Sequence, residues 1–422
     1  MKKPMTLTAA LTARFTSTRH APKRILTIWL SAIALALAFG TQPLSAASVT
    51  YIVGTCKSGT QFSTIQSALD ASPSPNTVEV CPGQYNEQIT ITKPVTLEGI
   101  SQGNEAQVRI YTPGGGLKVN ASVYTGDTVL TPAAAQIYVK NAGGSVNLSN
   151  LNVNGIANGQ SGSGAFVIGI LYDETPGTIN HVIAFNQDGL NTVGFGIFLE
   201  GGSSDPSVTV ENCSLYDFSQ AAIFAIGTTD TPNLKAVIEN NFVSSASQST
   251  YDIVAEEATN ATVSSNVVSG GLYGVYIVTP EGSVSGNTIL GSEIGIDLTL
   301  DGVSVKSNKI YGTILTGITI EAPSLSVSAV QSNTIKTVTN PDLGGGTGID
   351  LGCHDISSSQ VHSNTIMDSN YGYGNAPAGF SGSDTYFGVF SEIDLASCTN
   401  ASISSRSRAA VAPRSWAESR PQ

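Results

Sequence analysis

A five-residue frame, G-I-x-L-x, recurs along the chain and places aromatic and acidic side chains at its variable positions. The variable positions that could contact a ligand are Phe198, Phe224, Tyr276, Asp173, Glu200 and Glu256. Aromatic rings stack on the C–H faces of sugars, and carboxylates accept hydrogen bonds from sugar hydroxyls. This set therefore favours an extended neutral glycan as the ligand. Two such acids at a suitable separation could also perform the acid–base chemistry of a glycosidase, although no catalytic residue is assigned.

The same pattern has a purely structural interpretation. Aromatic side chains on an outer sheet often pack beneath a loop, and acids keep an exported protein soluble. The stretch PGTINHVIAFNQDGLNTV, residues 176–193, is long enough to be such a cover. Both interpretations stay open at the level of sequence.

A second candidate site lies in the stretch GIDLGCHDI, which starts at Gly348. It contains Asp350, His354 and Asp355, and one repeat later the chain carries Glu392 and Asp394. A histidine between acids could act as a general base or a metal ligand. The alternative is a surface histidine in a turn, with the neighbouring cysteine serving to fix the chain.

A second frame, V-x-x-N-x-I, precedes most copies of the first. It places asparagine at positions 241, 266, 287, 308, 333 and 364. Earlier units place Leu151, Val182 and Cys213 in the same slot. Asparagine tolerates the left-handed backbone conformation of a sharp bend. Turned inward at the same bend of successive repeats, these amides are expected to form a hydrogen-bonded ladder.

The alternation of apolar and polar residues within both frames is typical of β-strands, and helical periodicity is nearly absent after residue 72. Repeats too short to bury a core alone must stack on each other. The sequence therefore predicts an all-β parallel β-helix of about ten coils. A leucine-rich repeat would need leucine-rich strands, and a β-sandwich would not reuse one frame so often.

Stacking arranges the variable positions of G-I-x-L-x into straight columns, one residue per coil, about 4.8 Å apart. The first predicted column is Leu171, Phe198, Phe224, Val254, Tyr276, Asp297, Thr319, Asp350 and Phe390. The second is Asp173, Glu200, Ile226, Glu256, Val278, Thr299, Glu321, Gly352 and Glu392.

The two ends of the chain differ from this body. Residues 1–47 have the basic region, apolar run and small residues of a secretory signal peptide, with cleavage expected after Ala46 or Ala47. A membrane anchor is the alternative, but the apolar run from Ile25 to Phe39 is shorter than the roughly 20 residues of a spanning helix. Residues 48–404 form the predicted β-helix domain, and residues 405–422 a disordered tail.

Charge restricts the partners. Residues 48–404 contain nine Lys and Arg against 30 Asp and Glu, a net charge of −21 (9 − 30). Such a body repels nucleic acid and anionic membranes. It would also repel a polyanionic polysaccharide unless a cation such as calcium bridged the two. We expect a monomer without a resident cofactor other than a possible calcium ion, and an extracellular or cell-wall polysaccharide is the candidate partner.

The five cysteines fit an oxidising compartment. The expected disulfides join Cys56 to Cys81 and Cys353 to Cys398, because each pair flanks one terminal unit. Cys213 occupies the asparagine slot and is expected to be free and buried. The absence of a C-x-x-C motif disfavours a zinc site.

Residues 62–99 carry a more specific pattern: FSTIQSALDA, then PGQYNE, then ITKPVTLEG. This stretch resembles the opening of pectin methylesterases, within the pectin-lyase-like superfamily of right-handed parallel β-helices. The resemblance implies a right-handed coil capped by an N-terminal helix. Within that helix, Ser63 and Gln66 match a capping box, and Ile65, Ala68 and Leu69 are expected to face the core.

The catalytic motifs of that superfamily are absent. The chain lacks the G-x-Q-D-T-L and V-D-F-I-F-G stretches of pectin methylesterases and the corresponding motifs of polygalacturonases and pectate lyases. The resemblance therefore carries over no catalytic residue. The first functional hypothesis is a secreted carbohydrate-binding or polysaccharide-associated protein. The alternatives are a glycoside hydrolase or polysaccharide lyase of unknown substrate, and an extracellular adhesion scaffold.

Overall fold

The computed structural model describes residues 48–393 apart from 101–106, 125–129, 161–162, 189–192, 228–232, 247–249, 258–259, 327–328 and 338–345. The predicted signal peptide, the predicted tail, Asp394 and Cys398 lie outside the described residues. Among the described residues, no helix has the length and apolar character needed to cross a bilayer.

Three long parallel sheets run the length of the molecule, and each coil contributes one strand to each sheet. Sheet A contains, in spatial order, β2 (Gln61–Phe62), β1 (Thr50–Val53), β3 (Thr77–Val80), β6 (Val95–Gly99), β10 (Val146–Ser149), β13 (Gly177–Asn180), β16 (Ser207–Glu211), β19 (Lys235–Glu239), β22 (Asn260–Ser264), β25 (Gly282–Ser285), β28 (Val303–Lys306), β31 (Val330–Gln331) and β34 (Val361–His362).

Sheet B contains β4 (Gly83–Asn86), β7 (Val108–Tyr111), β11 (Asn152–Asn154), β14 (Ile183–Gln187), β17 (Ser214–Phe218), β20 (Phe242–Ser244), β23 (Val267–Ser269), β26 (Thr288–Leu290), β29 (Lys309–Thr313), β32 (Thr334–Thr337), β35 (Thr365–Met367) and β37 (Thr385–Phe387).

Sheet C contains β5 (Ile89–Ile91), β9 (Thr131–Lys140), β12 (Phe166–Asp173), β15 (Gly194–Glu200), β18 (Ala221–Ile226), β21 (Tyr251–Glu256), β24 (Tyr273–Val278), β27 (Ile294–Leu298), β30 (Thr316–Ile320), β33 (Thr347–Asp350), β36 (Tyr371–Gly374) and β38 (Ser391–Ile393). Strand β8 (Ala121–Val123) pairs antiparallel with β9.

The predicted parallel β-helix is confirmed, with about twelve coils instead of about ten. One coil escaped the count because β36 reads YGYG, and Tyr373 takes the inward position that isoleucine holds in the coil before it. The core lies between the three sheets, where inward Val, Ile and Leu residues stack in register, as at Val284 and Val305.

The asparagine ladder is confirmed. The Asn266 Nδ2 atom donates to Asn287 Oδ1 at 2.9 Å, and Asn287 Nδ2 donates to Asn308 Oδ1 at 3.0 Å. Each Oδ1 also accepts the backbone N–H of the preceding ladder residue, so one oxygen holds two donors. The ladder begins where the Cys213 N–H donates to Asn241 Oδ1, and it continues to Asn364.

The reason given for asparagine in this slot was wrong. The left-handed backbone conformation lies one residue earlier, at Ser265 (φ 58°), Gly286 (φ 66°) and Ser307 (φ 57°). The asparagine itself follows this bend and points inward. Its side chain hydrogen-bonds to neighbouring coils, as predicted, and the bend is made by the residue before it, which is serine or glycine in these three coils.

The N-terminal end is closed by helix α1 (Ile65–Leu69). Its apolar residues are buried, as predicted. The N-cap is Thr64, whose Oγ1 accepts from Ser67 N at 3.2 Å, and the predicted cap one residue earlier was wrong. The Glu87 carboxylate accepts from two further N–H groups of the first turn, which explains the glutamate of the PGQYNE motif.

The disulfide between Cys56 and Cys81 is confirmed. It joins the loop after β1 to Cys81, the residue directly after β3. Because Cys398 is not among the described residues, the pairing of Cys353 with Cys398 stays a prediction. Cys213 is free and buried, as predicted.

Candidate functional site

The outer face of sheet C carries the predicted columns. Pairing places Phe198 beside Phe224, Val254 beside Tyr276, and Tyr276 beside Asp297. The first predicted column is therefore in register from Leu171 to Asp350. Beyond that point the assignment was wrong. In the last two coils, Tyr373 pairs with Ile393, and both take the inward position. Phe390 therefore lies before the first residue of β38, outside the column, and its side chain is 91% exposed.

The N-terminal half of this face is covered. Phe198 and Phe224 are fully buried, with ring centroids 4.9 Å apart. They belong to an outer hydrophobic cluster, separate from the main core, that also contains Ala121, Val123 and Tyr124 of the chain around β8. The purely structural interpretation therefore holds for these two phenylalanines, and they are not placed to contact a ligand, because β8 and Tyr124 pack over them.

The cover was assigned to the wrong segment. Residues 177–180 and 183–187 form strands β13 and β14 of sheets A and B and do not fold over sheet C. Among the described residues of the suggested stretch, Val193 packs against the outer cluster and the others do not. The cover instead comes from β8 and Tyr124, and Tyr124 lies 76 residues before Glu200, the acid it contacts.

One of the predicted acids, Glu200, holds this cover, and a second, Asp173, bonds to the neighbouring strand β9. Asp173 and Glu200 are direct neighbours on adjacent coils. The Tyr124 N–H donates to Glu200 Oε1 at 2.9 Å, and the Tyr138 hydroxyl donates to Asp173 Oδ2 at 2.6 Å. Burial raises the pKa of Glu200 to about 8; the hydrogen bond from Tyr124 opposes this shift, and the charge of Asp173 adds to it. These contacts give Asp173 and Glu200 a structural task.

Beyond Val254 the face changes from apolar to polar. Three partly exposed tyrosines, Tyr251, Tyr273 and Tyr276, contact one another there. The Tyr251 and Tyr273 rings are stacked, with centroids 5.1 Å apart and planes inclined by 10°. We call these three residues the tyrosine cluster.

Two carboxyl groups flank the tyrosine cluster. Asp297 lies directly beside Tyr276 on the next coil, and Glu256 lies two residues after Val254, the neighbour of Tyr276 on the coil before. Burial raises the pKa of Glu256 to about 8, with a further contribution from Glu257. Asp297 is 2% exposed, its Oδ1 has no hydrogen-bond partner among the described residues, and burial raises its pKa well above the usual range. Glu256 is therefore largely protonated near neutral pH, and burial disfavours the charged form of Asp297 as well.

The second predicted site is a tight turn. Asp350 accepts the Gly352 N–H at 2.9 Å and both of its oxygens accept from Asn375 Nδ2. Burial lowers the pKa of His354, against the charges of Glu321 and Asp350. Asp355 and Glu392 are exposed. Within the described part of the chain, no group of three or more His, Cys, Asp and Glu side chains is arranged to hold a metal ion.

Sequence reasoning found Tyr276, Glu256 and Asp297 but did not single out the other two tyrosines. A signal was present: Tyr251 and Tyr273 each stand one residue before the frame, in YDIVAE and YGVYIV, so they pair across adjacent coils. Tyr124 had no comparable signal, since it lies outside the repeats. Tyr138 lies in β9, in register with Leu171, where the sequence QIYVK lacks the glycine of the frame.

Known proteins support the fold. A family profile described as "right handed beta helix region" matches residues 232–387. A comparison with curated proteins gives no significant match. Among solved structures, a GH136 lacto-N-biosidase from Eubacterium ramulus is similar over 88% of this chain and 70% of its own, with 11% identity and a TM-score of 0.52.

A pectin methylesterase from Aspergillus niger is similar over 84% of this chain and 88% of its own, with 12% identity and a TM-score of 0.32. The Dettilon tailspike protein is similar over 74% of this chain and 61% of its own, with 14% identity and a TM-score of 0.40. At these identities the likeness concerns architecture alone. Together with the stacked parallel strands, the family profile and the likeness to the lacto-N-biosidase structure show that this chain has the right-handed parallel β-helix fold.

Proposed function

We propose that this protein is exported and binds an extended neutral glycan on the outer face of sheet C, at the tyrosine cluster. The observation that carries the proposal is the contact of Tyr251, Tyr273 and Tyr276 on adjacent coils, next to the carboxyl groups of Glu256 and Asp297. The coil axis sets a spacing of about 4.8 Å between successive side chains, so a chain of sugars can contact several coils at once.

The chemistry of the site fits hydroxyl-rich ligands. Partly exposed tyrosines offer apolar ring surface for sugar C–H groups together with a polar hydroxyl. Because burial raises the pKa of Glu256 to about 8, this carboxyl both donates and accepts hydrogen bonds near neutral pH. A net charge of −21 over residues 48–404 favours a neutral glycan over a uronate.

Export is supported by two independent features. The disulfide Cys56–Cys81 is expected in an oxidising compartment. Residues 1–47 have the charge and hydropathy pattern of a secretory signal peptide. An extracellular location would bring the protein to polysaccharides.

Binding is preferred over catalysis because the catalytic motifs of the resembled esterases, hydrolases and lyases are missing from the sequence. The similar lacto-N-biosidase is an enzyme by its name, and that likeness concerns the fold. If Glu256 and Asp297 instead hydrolyse the glycan, the same test detects the released reducing sugar.

The test is affinity electrophoresis of the mature protein in gels that contain mixed-linkage β-glucan, xyloglucan, galactomannan or dextran. We expect retardation in at least one gel, and a loss of affinity of about five- to tenfold in Tyr276→Ala. Tyr311→Ala is the matched control, because Tyr311 faces outward from sheet B. Unretarded migration of the wild type in every gel would refute the proposal, and release of reducing sugar would replace it with a hydrolase.

A further inference from the structure

The outer face of sheet B contains an uncharged stretch that the proposed function does not use. Four consecutive strands of sheet B, β17, β20, β23 and β26, form this stretch. Their outward residues are Ser214, Tyr216, Phe242, Ser244, Val267, Ser269, Thr288 and Leu290. None of them is charged, although residues 48–404 carry a net charge of −21. The carboxylate nearest in sequence, Asp217, occupies the left-handed position (φ 54°) near the end of β17.

Three apolar side chains on this face are exposed to solvent. Phe242 is 48% exposed, Val267 is 37% exposed and Leu290 is 36% exposed. They belong to consecutive coils, so they form one continuous patch. Large apolar side chains grouped in this way on a soluble protein indicate a contact surface.

The patch has the shape of a notch. Ser244 and Ser269 follow Tyr216 in the same column, and Leu290 follows them. The two small serines form a floor between two larger side chains, which stand three coils apart, or roughly 14 Å. Phe242 and Val267 line one side, since each lies two residues before a floor serine.

One end of the notch presents an aromatic face. The Tyr216 ring is stacked on Phe185 with centroids 4.9 Å apart and planes inclined by 25°. A ring stacked on the preceding coil turns its other face toward the following coil, over Ser244. Aromatic faces beside hydroxyl groups and without charge match the C–H faces and hydroxyls of a neutral sugar.

We propose that this notch, formed by Tyr216, Phe242, Ser244, Val267, Ser269 and Leu290, is a second binding site for a neutral glycan. A sugar ring stacks on Tyr216 and lies against Phe242, while its hydroxyls bond to Ser244 and Ser269. The proposal shares only its class of ligand with the function proposed for sheet C. Two glycan sites on different faces would let one molecule bridge two polysaccharide chains.

The experiment uses the mature protein and the same four neutral polysaccharides in affinity gels. We expect Tyr216→Ala and Phe242→Ala each to weaken retardation by about five- to tenfold. Ser269→Asp, which keeps both rings and places a charge on the floor, is expected to weaken it as well. Tyr111→Ala, in the same column three coils before Tyr216, is expected to leave it unchanged.

Normal retardation of Tyr216→Ala and Phe242→Ala would overturn the proposal, as would a wild type that no gel retards. Sedimentation distinguishes the remaining case: a wild-type dimer that Phe242→Ala converts to a monomer, with unchanged retardation, would show that the patch joins two copies of this chain. The two proposed sites also fail separately. Retardation that depends on Tyr216 but not on Tyr276 would reject the sheet C site alone.

Discussion

The backbone N–H of Tyr124 donates to the Glu200 carboxylate at 2.9 Å, across 76 residues of sequence. This bond, in a buried setting, fastens β8 and the residue after it over the outer face of sheet C. The apolar part of that face is therefore closed, whereas the three residues of the tyrosine cluster are partly exposed.

Removing this acceptor should loosen the cover. We expect Glu200→Ala to destabilise the protein by about 1–3 kcal/mol, because the Tyr124 N–H loses its buried partner. Glu200→Gln keeps an acceptor oxygen and should cost less. Hydrogen exchange at the Tyr124 amide measures the effect. Equal protection in the wild type and Glu200→Ala would show that the bond does not hold the cover.

The ladder makes a second prediction about stability. In Asn287→Leu, the N–H and Nδ2 groups of Asn266 both lose their acceptor inside the molecule. We expect a loss of at least about 1–3 kcal/mol in the free energy of unfolding. Urea denaturation measures it, with Ser285→Leu on the outer face of sheet A as the control. A similar cost for both variants would contradict the ladder's role.

Asp252 predicts a dependence of stability on pH. It replaces the usual glycine of the frame, is fully buried, and neither carboxyl oxygen has a hydrogen-bond partner among the described residues. Burial raises its pKa well above the usual range. The folded state therefore binds the proton more tightly than the unfolded state, and stability falls as pH rises from the unfolded pKa toward the folded one.

Asp252→Asn removes this titration and is expected to be more stable than the wild type at pH 8, with a smaller difference at pH 5. Urea denaturation at the two pH values provides the comparison. Burial also raises the pKa values of Glu200 and Glu256 to about 8. These two groups therefore make the free energy of unfolding fall with rising pH in both proteins. If the free energy of unfolding changed by the same amount between pH 5 and pH 8 in both proteins, Asp252 would not be a source of the pH dependence.

Cys213 makes a prediction about reactivity. Burial raises the pKa of its thiol to about 12, and Sγ donates to the Glu211 carbonyl at 3.2 Å. We expect no labelling by a thiol reagent at pH 8 in the native protein and complete labelling after unfolding in urea. Mass mapping of the same samples checks the disulfides Cys56–Cys81 and Cys353–Cys398. Rapid native labelling of Cys213 would contradict its position in the core.

The repeats made much of this fold predictable. The asparagine frame and the G-I-x-L-x frame are local and periodic, and stacking converts that period directly into columns of contacting residues. The register from Leu171 to Asp350 follows from this, and so does the inward position of Cys213. The predicted number of coils was too low because the frame is not recognisable at β36, where Tyr373 takes the inward position that isoleucine holds in other coils.

The covered state of Phe198 and Phe224 was not predictable in the same way. The cover is an irregular segment with one short antiparallel strand, and its contacts join residues far apart in the chain. No period in the sequence records such a contact. The columns showed which residues line up, whereas the choice between a solvent-facing and a covered column depended on tertiary packing.

The central claim is that a glycan lies on the tyrosine cluster of sheet C. Hydroxyl-radical footprinting of the mature protein, read by mass spectrometry with and without the polysaccharide that retards it most, tests this directly. We predict that the oxidation of Tyr273 and Tyr276 falls when the glycan is bound, while that of Tyr311 is unchanged. Equal oxidation of Tyr273 and Tyr276 in the free and the bound protein would contradict the claim.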